Sequence, residues 1–194
     1  MSMTQQELSD YFLNNSDCAD CDIKCENSCA NFVYPVKIGS PRLMIVGEGP
    51  GADEDRLQKP FVGKSGQLLQ DMLCKLNTTD EIYITNVVKH RPKNNRKPTD
   101  QEALTCANTF LKEEILTFKP EIIVALGRTA AETLMRLAGR QKRGSLRGHV
   151  FGYQYGPYAS TVYCTWHPAY ILRNQTKEPE LFEDLLKATS ILKL

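Results

Sequence analysis

Four of the seven cysteines fall within twelve residues, as Cys18-x2-Cys21-x3-Cys25-x3-Cys29, while Cys74, Cys106 and Cys164 are scattered. An odd total leaves one thiol over in any disulfide framework, and thiols bunched this densely point to metal or iron–sulfur ligation. Three other segments set a carboxylate, an amide and an imidazole beside glycine and proline. They are Gly47-Glu48-Gly49-Pro50-Gly51, the loop that begins at Asn86, and His167-Pro168-Ala169.

The elements that must position these groups alternate between strand and helix. Residues 5–14 are periodic as a helix and lead into a Cys-rich loop over 15–31. Arg42-Leu-Met-Ile-Val-Gly47 is a short buried strand ending in a Gly/Pro turn. A polar loop follows, then a helix near 65–76 with Leu68, Leu69, Met72, Leu73 and Leu76 on one face. Glu81–Val88 reads as a strand running into the loop Lys89–Pro98, and Thr99 and Glu102 have capping-box spacing for a helix reaching about Phe118. Next come a strand over 121–126, a helix over 129–137, a basic loop over 138–149, a strand pair over 150–166 and a closing helix over 179–192. This order implies a mostly parallel sheet covered on both faces. Ligands of such sheets bind outside the carboxyl ends of the strands. The three polar segments lie at those ends, so parallel strands would bring them together along one edge.

With 194 residues, 41% of them apolar, the chain reads as one globular domain spanning 1–194. No apolar run approaches the ~20 residues of a membrane span, and the start MSMTQQELSD has no signal-peptide core. An intracellular protein of the cytoplasm or nucleoid is expected, with no membrane partner. The 24 Lys and Arg nearly balance 23 Asp and Glu. Their placement is uneven, however. Lys89, Arg91, Lys93, Arg96 and Lys97 lie in an acid-free stretch over 82–99, and Arg136, Arg140, Lys142, Arg143, Arg147, Arg173 and Lys177 in another over 133–177. Both flank the candidate site. They are either a footprint for phosphate backbone or a solvated basic face.

Two phosphate-loop patterns fail. Gly63-Lys64-Ser65 ends like a P-loop, but the glycine required at position 58 is Gln58. Gly47-x-Gly49-x-x-Ala52 fits the dinucleotide fingerprint formally. Asp53, Glu54 and Asp55 then follow at once, where a pyrophosphate needs a helix start free of carboxylates. No nucleotide cofactor is expected.

The segments GEGPGADEDRLQKPFVGKSGQLL (47–69), YITNVVKHRPKNNRKPT (83–99) and HPAYILRN (167–174) resemble the signature segments of family 4 uracil-DNA glycosylases. The N-terminal C-x2-C and a later cysteine resemble that family's [4Fe–4S] ligands. The resemblance implies an α/β fold: a single-domain three-layer α/β/α sandwich with a mostly parallel four-stranded central sheet. It implies a monomeric DNA-repair glycosylase that flips uracil out of single- or double-stranded DNA and hydrolyses its N-glycosidic bond.

The residue roles follow from that likeness, position by position. His167 corresponds to the donor that stabilises the departing uracil anion, much as an oxyanion hole does. Asn86 corresponds to the amide that can accept from N3–H and donate to O4, and Phe61 to the ring on which the flipped base stacks. Glu48 is placed to hold or polarise the water, and Glu54 to crowd the pyrimidine C5 position. Gly49, Pro50 and Gly51 let backbone approach the base. Leu172 and Arg173, with Ile171 before them, resemble the segment that enters the duplex, and Lys89 and Arg91 would face the DNA. Singly, Phe61 could be core, Asn86 a turn former and His167 a structural histidine. Their joint placement in matching motifs favours function.

One position departs from the family pattern. The segment that carries the third cysteine reads Lys89-His90-Arg91-Pro92 here. The simplest ligand set is therefore Cys18, Cys21, His90 and Cys106, since histidine ligation of iron–sulfur centres has precedent. Alternatives are Cys25 or Cys29 in place of His90, or zinc on the four N-terminal cysteines. A related group, the UDG-X enzymes, shares the Lys-His pair and bonds covalently to the abasic sugar. It does so through an inserted basic loop with a second histidine, which this chain lacks. A UDG-X-like trap, or a damage-binding protein with little activity, are the alternative functions.

Overall fold

Leu43–Gly47, Ile82–Asn86 and Ile122–Leu126 are runs in which every residue is buried. Such runs belong to strands covered on both faces, so parallel pairing is expected of them. The computed structural model, which describes residues 3–16, 18, 21–78, 81–141 and 144–193, bears this out. In chain order the elements are α1 (Gln5–Asn15), α2 (Asp22–Glu26), β1 (Val36–Ile38), β2 (Leu43–Gly47), α3 (Ala52–Leu57), α4 (Lys64–Lys75), β3 (Ile82–Asn86) and α5 (Asp100–Cys106). A π-helical turn over Ala107–Leu111 leads to α6 (Lys112–Phe118), β4 (Ile122–Leu126), α7 (Gly127–Leu137), β5 (Val150–Tyr155), β6 (Tyr158–Thr165), α8 (Pro168–Arg173) and α9 (Glu178–Ser190).

The sheet order is β1-β3-β2-β4-β6-β5. The inner four strands pair in parallel, and β1 and β5 flank them antiparallel. The sheet is thus six-stranded and mixed, which corrects the expected four strands. Strand β1 has only three residues, none of them buried, and so leaves little trace in the sequence. Alternate residues of the inner strands feed two cores. Met44, Val46, Tyr83, Ile123 and Ala125 pack on one face with residues of α1, α5, α6 and α7. Leu43, Ile45, Ile82, Val124 and Leu126 pack on the other with residues of α4, α8 and α9. Helices α2, α3 and α8 fall in segments read as loop or left unassigned. Each has only five or six residues, too few for a helical period to show. No helix among the described residues is long and apolar enough to cross a membrane.

Candidate active site

The register puts Gly47 opposite Asn86, the last residues of β2 and β3. The pairing continues past the strand ends, because Val87 N–H donates to the Gly47 carbonyl at 2.9 Å and Val88 N–H to the Glu48 carbonyl at 3.1 Å. On the other side, β6 ends at Thr165 and His167 caps α8. Three segments separated by up to 120 residues of sequence thereby line one pocket of about 180 Å³, with Glu48, Gly49, Pro50, Gly51, Glu54, Phe61, Asn86 and His167 in its wall.

Two glycines permit this closeness. A Cβ on Gly47 would lie 2.3 Å from Asn86 Oδ1 and 2.6 Å from Phe61 Cζ. Gly127, at φ +83°, opens α7, and a Cβ there would lie 2.9 Å from the His167 Cβ. That left-handed backbone and the contact with His167 both favour glycine.

His167, Glu48 and Glu54 are each held by a hydrogen-bond partner. His167 Nδ1 accepts from the Ala169 N–H at 3.1 Å, so a neutral imidazole carries its proton on Nε2. Burial pulls the His167 pKa below the ordinary histidine value; Glu48 opposes that shift and Arg173 reinforces it. The imidazole is therefore neutral at neutral pH and presents Nε2–H as a donor. Glu48 Oε2 accepts from the Thr129 hydroxyl, which fixes one carboxylate oxygen and leaves Oε1 for another donor. Thr129 was not singled out from sequence. The signal for it was its place just past β4, the remaining inner strand end at this edge. Phe61 has a left-handed backbone, φ +54°. Gln70 Nε2 holds its carbonyl at 3.0 Å, and its ring lies 6.0 Å from the His167 ring at 28° between planes.

Glu54 is buried and accepts from three backbone N–H groups. Oε2 accepts from Gly51 at 3.1 Å, and Oε1 from Val62 at 2.9 Å and Gly63 at 2.8 Å. It lines the pocket and also braces the loop that carries Phe61.

The expected DNA-facing residues divide. Leu172 is 43% exposed and Arg173 is exposed, while Ile171 before them is buried. Arg91 is half-buried, with Nε donating to Asn95 Oδ1 at 2.7 Å. Lys89 does not face solvent, contrary to the expectation that it would meet the DNA. Its ammonium is buried and paired with Glu114 at 2.6 Å. Other basic residues are also drawn inward or into pairs: Arg96 to Glu26 and Glu102, Arg136 to Asp100, and Arg147 to Glu180 and Asp184. Lys142 and Arg143 lie outside the described residues.

A second cavity, about 230 Å³, is lined by Cys18, Cys21, Cys106, Glu102 and Phe110. Burial pushes the Cys106 thiol up to about 12, and the neighbouring Cys18 and Cys21 add to the shift while Lys89 opposes it. Such a thiol ionises only if a cation takes the proton's place. Among the described residues, no three His, Cys, Asp or Glu side chains are grouped closely enough to hold a single metal ion. His90 is buried with its ring edge-on to Phe32, 5.5 Å between centroids, and is absent from the linings of both cavities. Cys25 and Cys29 are exposed and line neither.

The family described as the uracil DNA glycosylase superfamily matches residues 36–189. A type-4 uracil-DNA glycosylase of Pyrobaculum aerophilum is 41% identical over 146 residues, 74% of each chain. That of Thermotoga maritima is 39% identical over 155 residues, 78% of each chain. That of Archaeoglobus fulgidus is 32% identical over 185 residues, 94% of this chain and 92% of that protein.

Proposed function

Because the chain belongs to the uracil DNA glycosylase superfamily, we propose that it removes uracil from DNA by hydrolysing the N-glycosidic bond, leaving an abasic site for later repair. The observation that carries this reading is the convergence of Glu48, Phe61, Asn86 and His167 on one pocket, with the imidazole proton directed to Nε2.

A base in a duplex is out of reach of such a pocket, so it must be flipped in. Exposed Leu172, on α8 next to His167, supplies the wedge, and Arg173 a phosphate contact. The flipped base stacks on Phe61, worth ~1–3 kcal/mol. The Asn86 carboxamide accepts from uracil N3–H and donates to O4, a pattern that cytosine does not match. As the glycosidic bond breaks, both electrons leave with uracil, and His167 Nε2–H donates to the oxygen on which the charge develops. A neutral donor suits this step, because it stabilises the anion without first having to be protonated. Glu48, steadied by Thr129, orients the attacking water through its other oxygen and takes up the water's proton. Glu54 keeps the Phe61–Gly63 backbone against the C5 side of the base.

Cys18, Cys21 and Cys106 suit a [4Fe–4S] cluster. Thiolates around one zinc stand within ~4 Å of each other, whereas sulfurs spread around a cavity of about 230 Å³ suit a polynuclear centre. We assign His90 as fourth ligand: it is buried, and its neighbour Lys89 lies close enough to Cys106 to oppose the rise of that thiol's pKa. Once bound, the cluster would tie the N-terminal segment to the loop after Asn86 and to α5.

The test is incubation with a labelled oligonucleotide containing uracil, with thymine, hypoxanthine and undamaged controls, split between alkali-treated strand analysis and a denaturing protein gel. Alkali-dependent cleavage at uracil alone, with no shifted protein band, is expected. A denaturation-resistant shifted band would replace hydrolysis by covalent trapping. Absence of cleavage from iron-loaded protein would leave only DNA binding.

A further inference from the structure

Lys89 is a basic residue beside the substrate loop whose charge does not reach solvent. Its ammonium has three N–H donors, and three acceptors take them: Glu114 Oε1 at 2.6 Å, Thr85 Oγ1 at 2.6 Å and the Asn86 backbone carbonyl at 2.9 Å. Side-chain exposure is 1% for Lys89 and 0% for Glu114. No donor is left for a phosphate. The backbone of the residue is bound as well, since its carbonyl accepts from the Val33 N–H at 2.9 Å.

Burying a lysine and a glutamate together is an expensive way to stabilise a fold, and apolar side chains of similar volume serve as well or better. The apolar alternative lacks one thing: a donor aimed at the Asn86 carbonyl. The opposite face of the Asn86 peptide is fixed through the next amide, Val87 N–H to the Gly47 carbonyl. Lys89 therefore supplies the second restraint on the peptide whose side chain reaches into the substrate pocket.

We propose that Lys89, held by Glu114 and Thr85, is a positioning residue for Asn86, acting on the chemical step and not on DNA binding. This rests on the reading of Asn86 as the residue that recognises uracil.

The experiment uses the full iron-loaded chain. Lys89→Met, Lys89→Met/Glu114→Leu, Thr85→Val and Asn86→Ala are compared in steady-state excision, abasic-site DNA binding across a salt series, urea unfolding and iron content. The single Lys89 variant strands a buried carboxylate and is expected to unfold easily. The double variant removes both charges and should recover most of the stability. Its kcat is expected to stay down about tenfold, since small misplacements near a reacting group are amplified in rate. KM and abasic-DNA affinity are expected to stay within about twofold, with an unchanged salt slope, because a lost phosphate contact would flatten that slope by about one.

A folded double variant with wild-type kcat would overturn the proposal, as would a loss confined to KM with a flatter salt slope. Thr85→Val keeps both charges and so is expected to fold, with kcat lowered severalfold. Wild-type kcat in that variant also overturns the proposal, whatever the Lys89 variants do. Asn86→Ala separates the two levels. If it excises uracil at the wild-type rate, the reading of Asn86 fails. If it loses activity while the Lys89 and Thr85 variants keep theirs, only the positioning role fails.

Discussion

Gly47→Ala adds one methyl group at the meeting point of Asn86 and Phe61. The new carbon would stand 2.3 Å from Asn86 Oδ1, and 2.6 and 3.0 Å from Phe61 Cζ and Cε2. An ordinary C···O approach is ~3.3 Å or more, so the amide oxygen must retreat by about 1 Å. The ring is displaced with it. If Asn86 reads the base as proposed, moving its amide by that much is expected to lower the rate about 100-fold, or about 2.7 kcal/mol of barrier. The overpacked strand end should also lose ~1–3 kcal/mol of stability. Gly152→Ala is the control: it also places a Cβ on a strand glycine, but on edge strand β5, where the carbon meets nothing within 4 Å. Single-turnover excision at saturating enzyme separates chemistry from binding, and urea unfolding confirms the fold. A folded Gly47→Ala protein that excises uracil within threefold of wild type would refute the reasoning. It would mean that Asn86 does not sit over Gly47 in the working enzyme, or that its place there does not matter.

Glu54→Gln replaces a carboxylate that accepts three backbone N–H bonds with an amide that sets its own N–H groups against one of them. A loss of ~1.5–3 kcal/mol by urea unfolding, with lower kcat from the loosened Phe61 loop, is expected. His167 has its pKa depressed mainly by burial, so the unfolded chain binds its proton more readily than the folded one. Its contribution to stability is complete above about pH 6.5 and lost as pH falls from there toward the lowered native value, by about 1.4 kcal/mol per unit of depression. Unfolding of wild type and His167→Gln at pH 7.5 and 5 should show this component in wild type alone. Cys18→Ser, Cys21→Ser and Cys106→Ser should each lose iron, sulfide and visible absorbance, while Cys25→Ser and Cys29→Ser, exposed and off the cavity, keep them.

Three strands of the parallel core were legible because they are uninterrupted buried runs, and much of the site because Gly47 and Asn86 end two of them and His167 follows the last strand. The edge strand β1 and the helices α2, α3 and α8 are too short for a period to emerge. Thr129 was passed over for another reason, although it stands just past the end of β4. It is an ordinary helix residue, and only the closure of β4 against β2 brings it to Glu48.

Counting charges along the chain overstated the free positive charge near the site in a more instructive way. Twelve basic residues in two acid-free stretches suggested a positive rim. Yet Lys89, Arg96, Arg136, Arg147 and Lys177 find carboxylates that the chain supplies from elsewhere: Glu114, Glu26 and Glu102, Asp100, Asp184 and Glu180. Acid-free sequence is therefore not acid-free space. A basic stretch beside a site can be an anchor as readily as a phosphate contact, and the two differ in what a mutation does. Losing an anchor such as the Lys89 pairing is expected to change stability and the placement of Asn86, with the salt slope of DNA binding intact. Losing exposed Arg173 should leave the fold alone and flatten that slope by about one.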